Sequence, residues 1–232
     1  MDRPARDGHP GGVTMAGPLR LRSFRLYFFS ETISTFGTGM LFTGISWYVR
    51  EVSGTNAAVG LVLSLTILSG FAIFPLAGTV ADRFPRRSVL LAVNLARGLL
   101  FGVFLLLSLA GPLDFRLIYI LVIGNGVCYA FSTPVSRSFL QEIVERDYLL
   151  AGNALMEMSM QAGLYISAGL TGIVLKLAGI QVVFAVATAT CLSASLLLAR
   201  MIATSIASLR PNNMNEGPAP ATDWRSEKWT FT

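Results

Sequence analysis

Charge is scarce in this chain. Only 13% of its residues are Asp, Glu, Lys or Arg, where a soluble domain carries about a quarter. That shortage excludes an ordinary water-soluble globule, which needs a wetted surface. The sole histidine is His9, and the lysines are Lys176 and Lys228 alone. The two cysteines, Cys128 and Cys191, imply neither a disulfide framework nor a metal site. With no histidine, metal-ligand cluster or nucleophile–base pair in an apolar stretch, an intramembrane enzyme fails on inventory, and no cofactor or metal is expected. The net charge of +5 and the pI near 9.6 do not point to nucleic acid. The arginines stand at the ends of apolar runs and form no stripe interleaved with aromatics.

What is abundant is hydrocarbon. Hydrophobic residues make up 53% of the chain, and the mean hydropathy is +0.61. Lipid can cover such a surface, so no single water-excluded core is required. A bilayer-spanning helix takes about 20 apolar residues. Six stretches qualify: Leu26–Val49, Ala57–Val80, Ser88–Ala110, Leu117–Ser136, Tyr148–Val174 and Gln181–Ile202. Short joints such as Val52-Ser53-Gly54-Thr55-Asn56 and Gly111-Pro112-Leu113-Asp114 suit antiparallel neighbours. Both cysteines fall inside these spans.

Basic residues orient the spans. Three of the 18, Arg50, Arg116 and Lys176, fall on one side; Arg97 is intramembrane, and the other fourteen share the opposite side. Both termini are therefore expected in the cytoplasm. Residues 1–23 read as a disordered cytoplasmic arm, without a cleavable signal and with Met15 as a second candidate start. Residues 24–204 read as a six-helix transmembrane bundle, and 205–232 as a cytoplasmic central-loop-like tail.

Between the second and third spans lies Gly78-Thr79-Val80-Ala81-Asp82-Arg83-Phe84-Pro85-Arg86-Arg87-Ser88-Val89-Leu90. This string resembles G-x-L-A-D-R-x-G-R-R-x-x-L, the cytoplasmic loop motif after the second helix in the major facilitator superfamily. Phe24-Arg25-Leu26-Tyr27-Phe28-Phe29-Ser30-Glu31 and the run Asn153-Ala154-Leu155 are similar to the drug-efflux branch that includes macrolide-efflux and siderophore-export proteins. The resemblance covers about Phe24 to Arg210. It implies an all-α membrane protein, one half of that fold with a three-plus-three helix repeat, handling a small molecule and protons in a bilayer. It also implies a conformational latch at Gly78, Asp82, Arg83, Arg86 and Arg87, with Asp82 engaging the other half. Pro85 replaces the second glycine and stiffens the turn, Thr38 stands where relatives have an acid, and no arginine accompanies Gly124-Asn125-Gly126.

Charges inside a membrane are costly enough to mark candidate sites. Glu31 lies about 8 Å into the first span at about 1.5 Å per residue, with Ser34, Thr35 and Thr38 on its face. In the fifth span Asn153, Glu157, Gln161 and Tyr165 recur every four residues, which gathers them on one side as a cavity lining requires. Arg97 in the third span is the base available to both acids, with Asn94 one turn before it. Pairing Arg97 with one carboxylate leaves the other uncompensated and suited to carry a proton. Gly78, Gly124, Gly126, Gly169 and Gly172 are expected to admit close helix contacts. Trp47 and Tyr48 suit the aromatic belt. The leading reading is secondary-active, proton-coupled efflux of an amphipathic small molecule such as a drug or siderophore, with the chain as the N-terminal half. Its alternatives are a non-transporting membrane partner or scaffold, and a half that works as a dimer with a second copy.

Overall fold

The computed structural model describes residues 17–209, with side chains through Met201 except that of Asp82. Five α-helices account for most of that stretch: α1 Arg22–Ser53, α2 Asn56–Arg83, α3 Arg86–Ala110, α4 Phe115–Ile143 and α5 Leu149–Leu209. A 3-10 turn precedes α1 at Pro18–Arg20, and another precedes α5 at Arg146–Tyr148. The first helix thus begins inside the expected arm and the last runs past residue 204. The rest of the arm, His9 and Met15 included, lies outside the described residues, as does the tail from residue 210.

Local chemistry explains the helix ends. Gly54 closes α1 at φ 70°, a left-handed conformation that suits a residue without a side chain. Thr55 then opens α2, its hydroxyl accepting a hydrogen bond from the Ala58 amide at 3.4 Å. Asp114 does the same for α4 through the Arg116 amide at 3.2 Å. At the basic turn only Phe84 and Pro85 separate two helices. A proline disfavours helical geometry in the residue before it, and Phe84 is extended. Pro85 then accepts the first turn of α3 from Ser88 and Val89.

The sequence reading separates a fifth and a sixth span, and the structure has two helical limbs there, joined without a loop within the run Leu149–Leu209. Its single interruption is Gly179, at φ 77° and ψ 179°, which divides two helical limbs, 149–178 and 180–209. No proline or polar loop stands there, so helical hydrogen bonding resumes at once. A difference from the expected spans concerns α1. Among the described residues four helices, α2 to α5, are long and apolar enough to cross a membrane, and α1 is not among them. Ser30, Thr32, Ser34, Thr35, Gly37, Thr38 and Gly39 dilute its apolar character. This helix packs on protein: it lies along α5, while α4 packs on α2 and α3, and α3 also meets α5.

The buried residues fall into two apolar clusters with a polar belt between them. One cluster, near the Gly54 and Gly179 turns, holds Met40, Ile45, Phe101, Phe104, Leu121 and Phe184 among others. The other, near the basic turn, holds Phe24, Tyr27, Leu90, Val135, Phe139 and Leu198 among others. Between them the same helices bury Ser30, Ser34, Asn94, Arg97 and Ser195. The outer faces are apolar, as at Ile67 and Phe71 of α2, which are 72% and 78% exposed. Water would oppose that surface; lipid tails suit it.

Small residues set the crossings, but not all the expected ones. A β-carbon at Gly126 would overlap Ser69 Oγ and the Thr66 carbonyl, so α2 and α4 touch through their backbones there. Gly39 is pressed in the same way by Ser167 of α5, and Gly37 by Thr190. A β-carbon at Gly124 would lie 3.0 Å from Leu100. By contrast, a β-carbon added at Gly78, Gly169 or Gly172 would meet nothing within 4 Å beyond its own stretch of helix, because they lie on faces that no described element covers. Gly126→Leu should therefore destabilise the bundle by about 1–3 kcal/mol, the usual cost of overpacking. Gly169→Leu should stay within about 0.5 kcal/mol, as at other uncrowded surface positions. Thermal unfolding in detergent distinguishes them, and equal losses would contradict the packing described.

Candidate functional site

The basic turn does more than face a membrane surface. Arg86 Nη1 donates to the Ser138 carbonyl at 3.1 Å and lies 3.7 Å from the Glu142 carboxylate. The Arg87 guanidinium sits over the Phe139 ring, 5.6 Å from its centroid. Phe139 in turn meets Tyr27 edge to face at 5.0 Å, and the Tyr27 hydroxyl donates to the Ser136 carbonyl at 3.1 Å. The turn is thereby tied to the end of α4, and α4 to α1. Arg86 and Glu142 are partly exposed, so their attraction is worth about 0–1 kcal/mol. Arg83 is exposed. The side chain of Asp82, the expected latch residue, lies outside the described residues. An acid at the basic end of α4, Glu142, was the signal in the sequence for this clamp.

The second site is the polar belt. Ser34 Oγ donates to Asn94 Oδ1 at 2.7 Å, joining α1 to α3. Asn94 Nδ2 donates to the Leu90 carbonyl at 3.1 Å, and Ser30 Oγ to the Ala194 carbonyl at 3.0 Å. Arg97 follows Asn94 by one turn and is 7% exposed. Its Nε and Nη2 have no hydrogen-bond partner. Glu31 of α1 is partly exposed, within electrostatic reach of Arg97 and facing the Ser136 hydroxyl. Among the described residues no carboxylate comes to ion-pair distance of Arg97, whereas Arg86 and Glu142 do come that close. Cys128 of α4 lies against Arg97, and Cys191 of α5 is also close.

Four buried side-chain atoms among the described residues lack a hydrogen-bond partner: Arg97 Nε, Arg97 Nη2, Asn125 Oδ1 and Ser136 Oγ. All belong to α3 and α4. Asn125, Cys128 and Ser136 are partly exposed, as are Glu31, Thr35 and Thr38 on α1. Buried polar atoms without partners are uncommon and each calls for a cause, a ligand being one.

The structure brings Glu31 and Arg97 together and sets the α5 residues apart. Asn153, Glu157, Gln161 and Tyr165 are exposed along the first limb of α5. Gln161 Nε2 donates to Glu157 Oε1 at 3.1 Å, and Asn153 Nδ2 donates to the Leu149 carbonyl at 2.9 Å. At helical spacing the same face continues to Gly169 and Gly172. Tyr48 departs from a simple belt role: it accepts from the Leu113 amide at 3.2 Å and donates to the Leu113 carbonyl at 3.4 Å, holding the joint between α3 and α4. Its neighbour Trp47 is 59% exposed. Sequence reasoning missed Ser136, Cys128 and Asn125, because nothing in a helical repeat marks which neighbour a polar residue meets.

The family model described as Major Facilitator Superfamily matches residues 27–229. Among curated relatives, the enterobactin exporter EntS of Citrobacter koseri is 25% identical over 158 residues, covering 68% of this chain and 38% of that protein. Its counterpart in Salmonella choleraesuis gives the same identity and coverage. Among solved structures, the in meso crystal structure of the POT family transporter PepTSo superposes with a TM-score of 0.64 at 15% identity, covering 78% of this chain and 37% of that one. At that identity the likeness concerns the fold. The chain spans 38% of the length of the curated relatives it matches.

Proposed function

Because this chain belongs to the Major Facilitator Superfamily, we propose that it supplies one six-helix half of a secondary-active exporter for an amphipathic small molecule. The observation that carries the reading is the polar belt around Arg97 at mid-length of an apolar bundle. A buried base is expensive in a membrane and is retained where it handles a solute or an ion. The enterobactin exporters among the relatives favour outward movement, and a drug- or siderophore-like solute is what the sequence resemblance implies. Glu31 is the nearest candidate to couple that movement to protons, and Glu157 is the second.

Three features favour a half. Counting the two limbs of α5 separately gives three helices before α4 and three from it. The packing is reciprocal: α1 lies on α5 while α4 lies on α2 and α3, as expected of two related triplets. The open glycines Gly78, Gly169 and Gly172, with the exposed line from Asn153 to Tyr165, leave faces on which further helices can close. In this reading the Asp82 turn latches onto the second half, and the transport cavity lies between the two.

The orientation of the half in the plasma membrane, a bacterial inner membrane, follows the basic residues: both termini are cytoplasmic. Ser53→Cys and Asp114→Cys should react with an impermeant thiol reagent added to intact cells, and Ser88→Cys should not. Labelling at position 88 alone would reverse the topology and remove the latch from the cytoplasm. The function itself is tested by flux. Vesicles holding the chain with a second six-helix half should move an amphipathic dye when a pH gradient is imposed, and absence of flux for a broad panel of dyes and drugs would tell against it.

A further inference from the structure

We infer that Arg97 is the binding group for an acidic moiety, making the solute recognised at the polar belt an organic anion. The inference rests on the transport reading above and names the substrate class of that site. Its basis is an arginine buried beyond nine-tenths whose Nε and Nη2 have no partner. A guanidinium edge presenting two unengaged N–H donors matches a carboxylate, which accepts two parallel hydrogen bonds. Asn94 and Ser34 do not compete, since each is bonded to the other and Asn94 also to Leu90.

Access and charge balance are consistent with this. Cys128 lies against Arg97 and Glu31 is within electrostatic reach of it, and both are partly exposed. The charged and titratable groups facing Glu31 are Tyr27 on its own helix and Arg97 from α3; Cys128 of α4 and Cys191 of α5 flank Arg97. With Glu31 ionised, one acid and one base leave the belt neutral. An arriving anion adds one negative charge, and a proton on Glu31 restores neutrality. Anion binding therefore favours a proton on Glu31, and the affinity rises as the medium becomes more acidic. Glu31 opposes the anion and Arg97 attracts it.

The test is equilibrium binding to the full chain in phosphatidylcholine nanodiscs, with 2-naphthoate, 2-naphthamide and 2-naphthylmethylammonium as probes of one size and three charges. The carboxylate should bind about tenfold or more tightly than the amide, the scale of a charge-assisted pair. Arg97→Gln should weaken the carboxylate by about tenfold and leave the amide within about twofold. Glu31→Gln should tighten the carboxylate by about threefold or more and abolish the difference between pH 6 and pH 8. Should the Arg97 variant fail to fold, the Glu31 variant decides, and unchanged carboxylate affinity there overturns the assignment. Equal binding of carboxylate and amide by the unaltered chain also overturns it. So does displacement of naphthoate by added phosphatidylglycerol, which would assign the site to a lipid headgroup. Loss of flux with carboxylate binding intact would count against the transport reading alone.

Discussion

Replacing Glu31 with glutamine should lower pH-gradient-driven transport in the assembled exporter by about tenfold or more, the effect of removing a titrating charge beside a counter-ion. The substitution keeps the shape and hydrogen-bonding reach of the side chain while removing its proton. Flux down a solute gradient should survive it, because the polar line around Asn125, Cys128 and Ser136 is intact. The comparison with Glu157→Gln makes the result specific. Glu157 is exposed on α5 and already bonded to Gln161, whereas Glu31 shares the belt with Arg97. A smaller loss is expected at 157. If both glutamine variants keep the full response to a pH gradient, coupling lies outside this half.

Much of the site was legible in the sequence, and the limits of that legibility are physical. Glu31 and Arg97 stand out as charges inside apolar runs, since the cost of burying them holds wherever the helices pack. The turn Gly78–Leu90 is equally visible, because its residues are contiguous. Partners across helices are different. Whether Arg97 leans toward Glu31 or Glu157 depends on the packing of α1, α3 and α5, to which a single helical period is blind. The same limit explains the glycines. Gly126 and Gly169 look alike in sequence, yet one is pressed by Ser69 and Thr66 and the other faces open space. The Ser, Thr and Gly content of α1 reads as weak hydropathy. In the structure it is what lets that helix lie along α5, with Ser167 and Thr190 seated on Gly39 and Gly37. The break at Gly179 was expected as a longer joint, because one residue in a left-handed conformation reverses the chain without a polar segment to announce it.

The second large effect concerns the chain as a whole. Alone in a membrane it should give no uphill flux, and pairing with a second six-helix half should restore it. Transport by rocking two halves requires a wall on each side of a midplane site. This chain supplies one wall: the belt at Arg97, the exposed Asn153–Tyr165 line and the uncovered glycines of α2 and α5. A pair of identical halves is the rival arrangement, and it would place two copies of the basic turn against each other.

The most direct measurement is therefore of mass and flux on one preparation. The purified chain is placed in lipid, its oligomeric mass is determined, and solute movement is followed in sealed vesicles under a pH gradient, with and without a second half. A monomer that moves no solute against its gradient until the second half is supplied is the expected result. A stable dimer of this chain that accumulates solute unaided would contradict it.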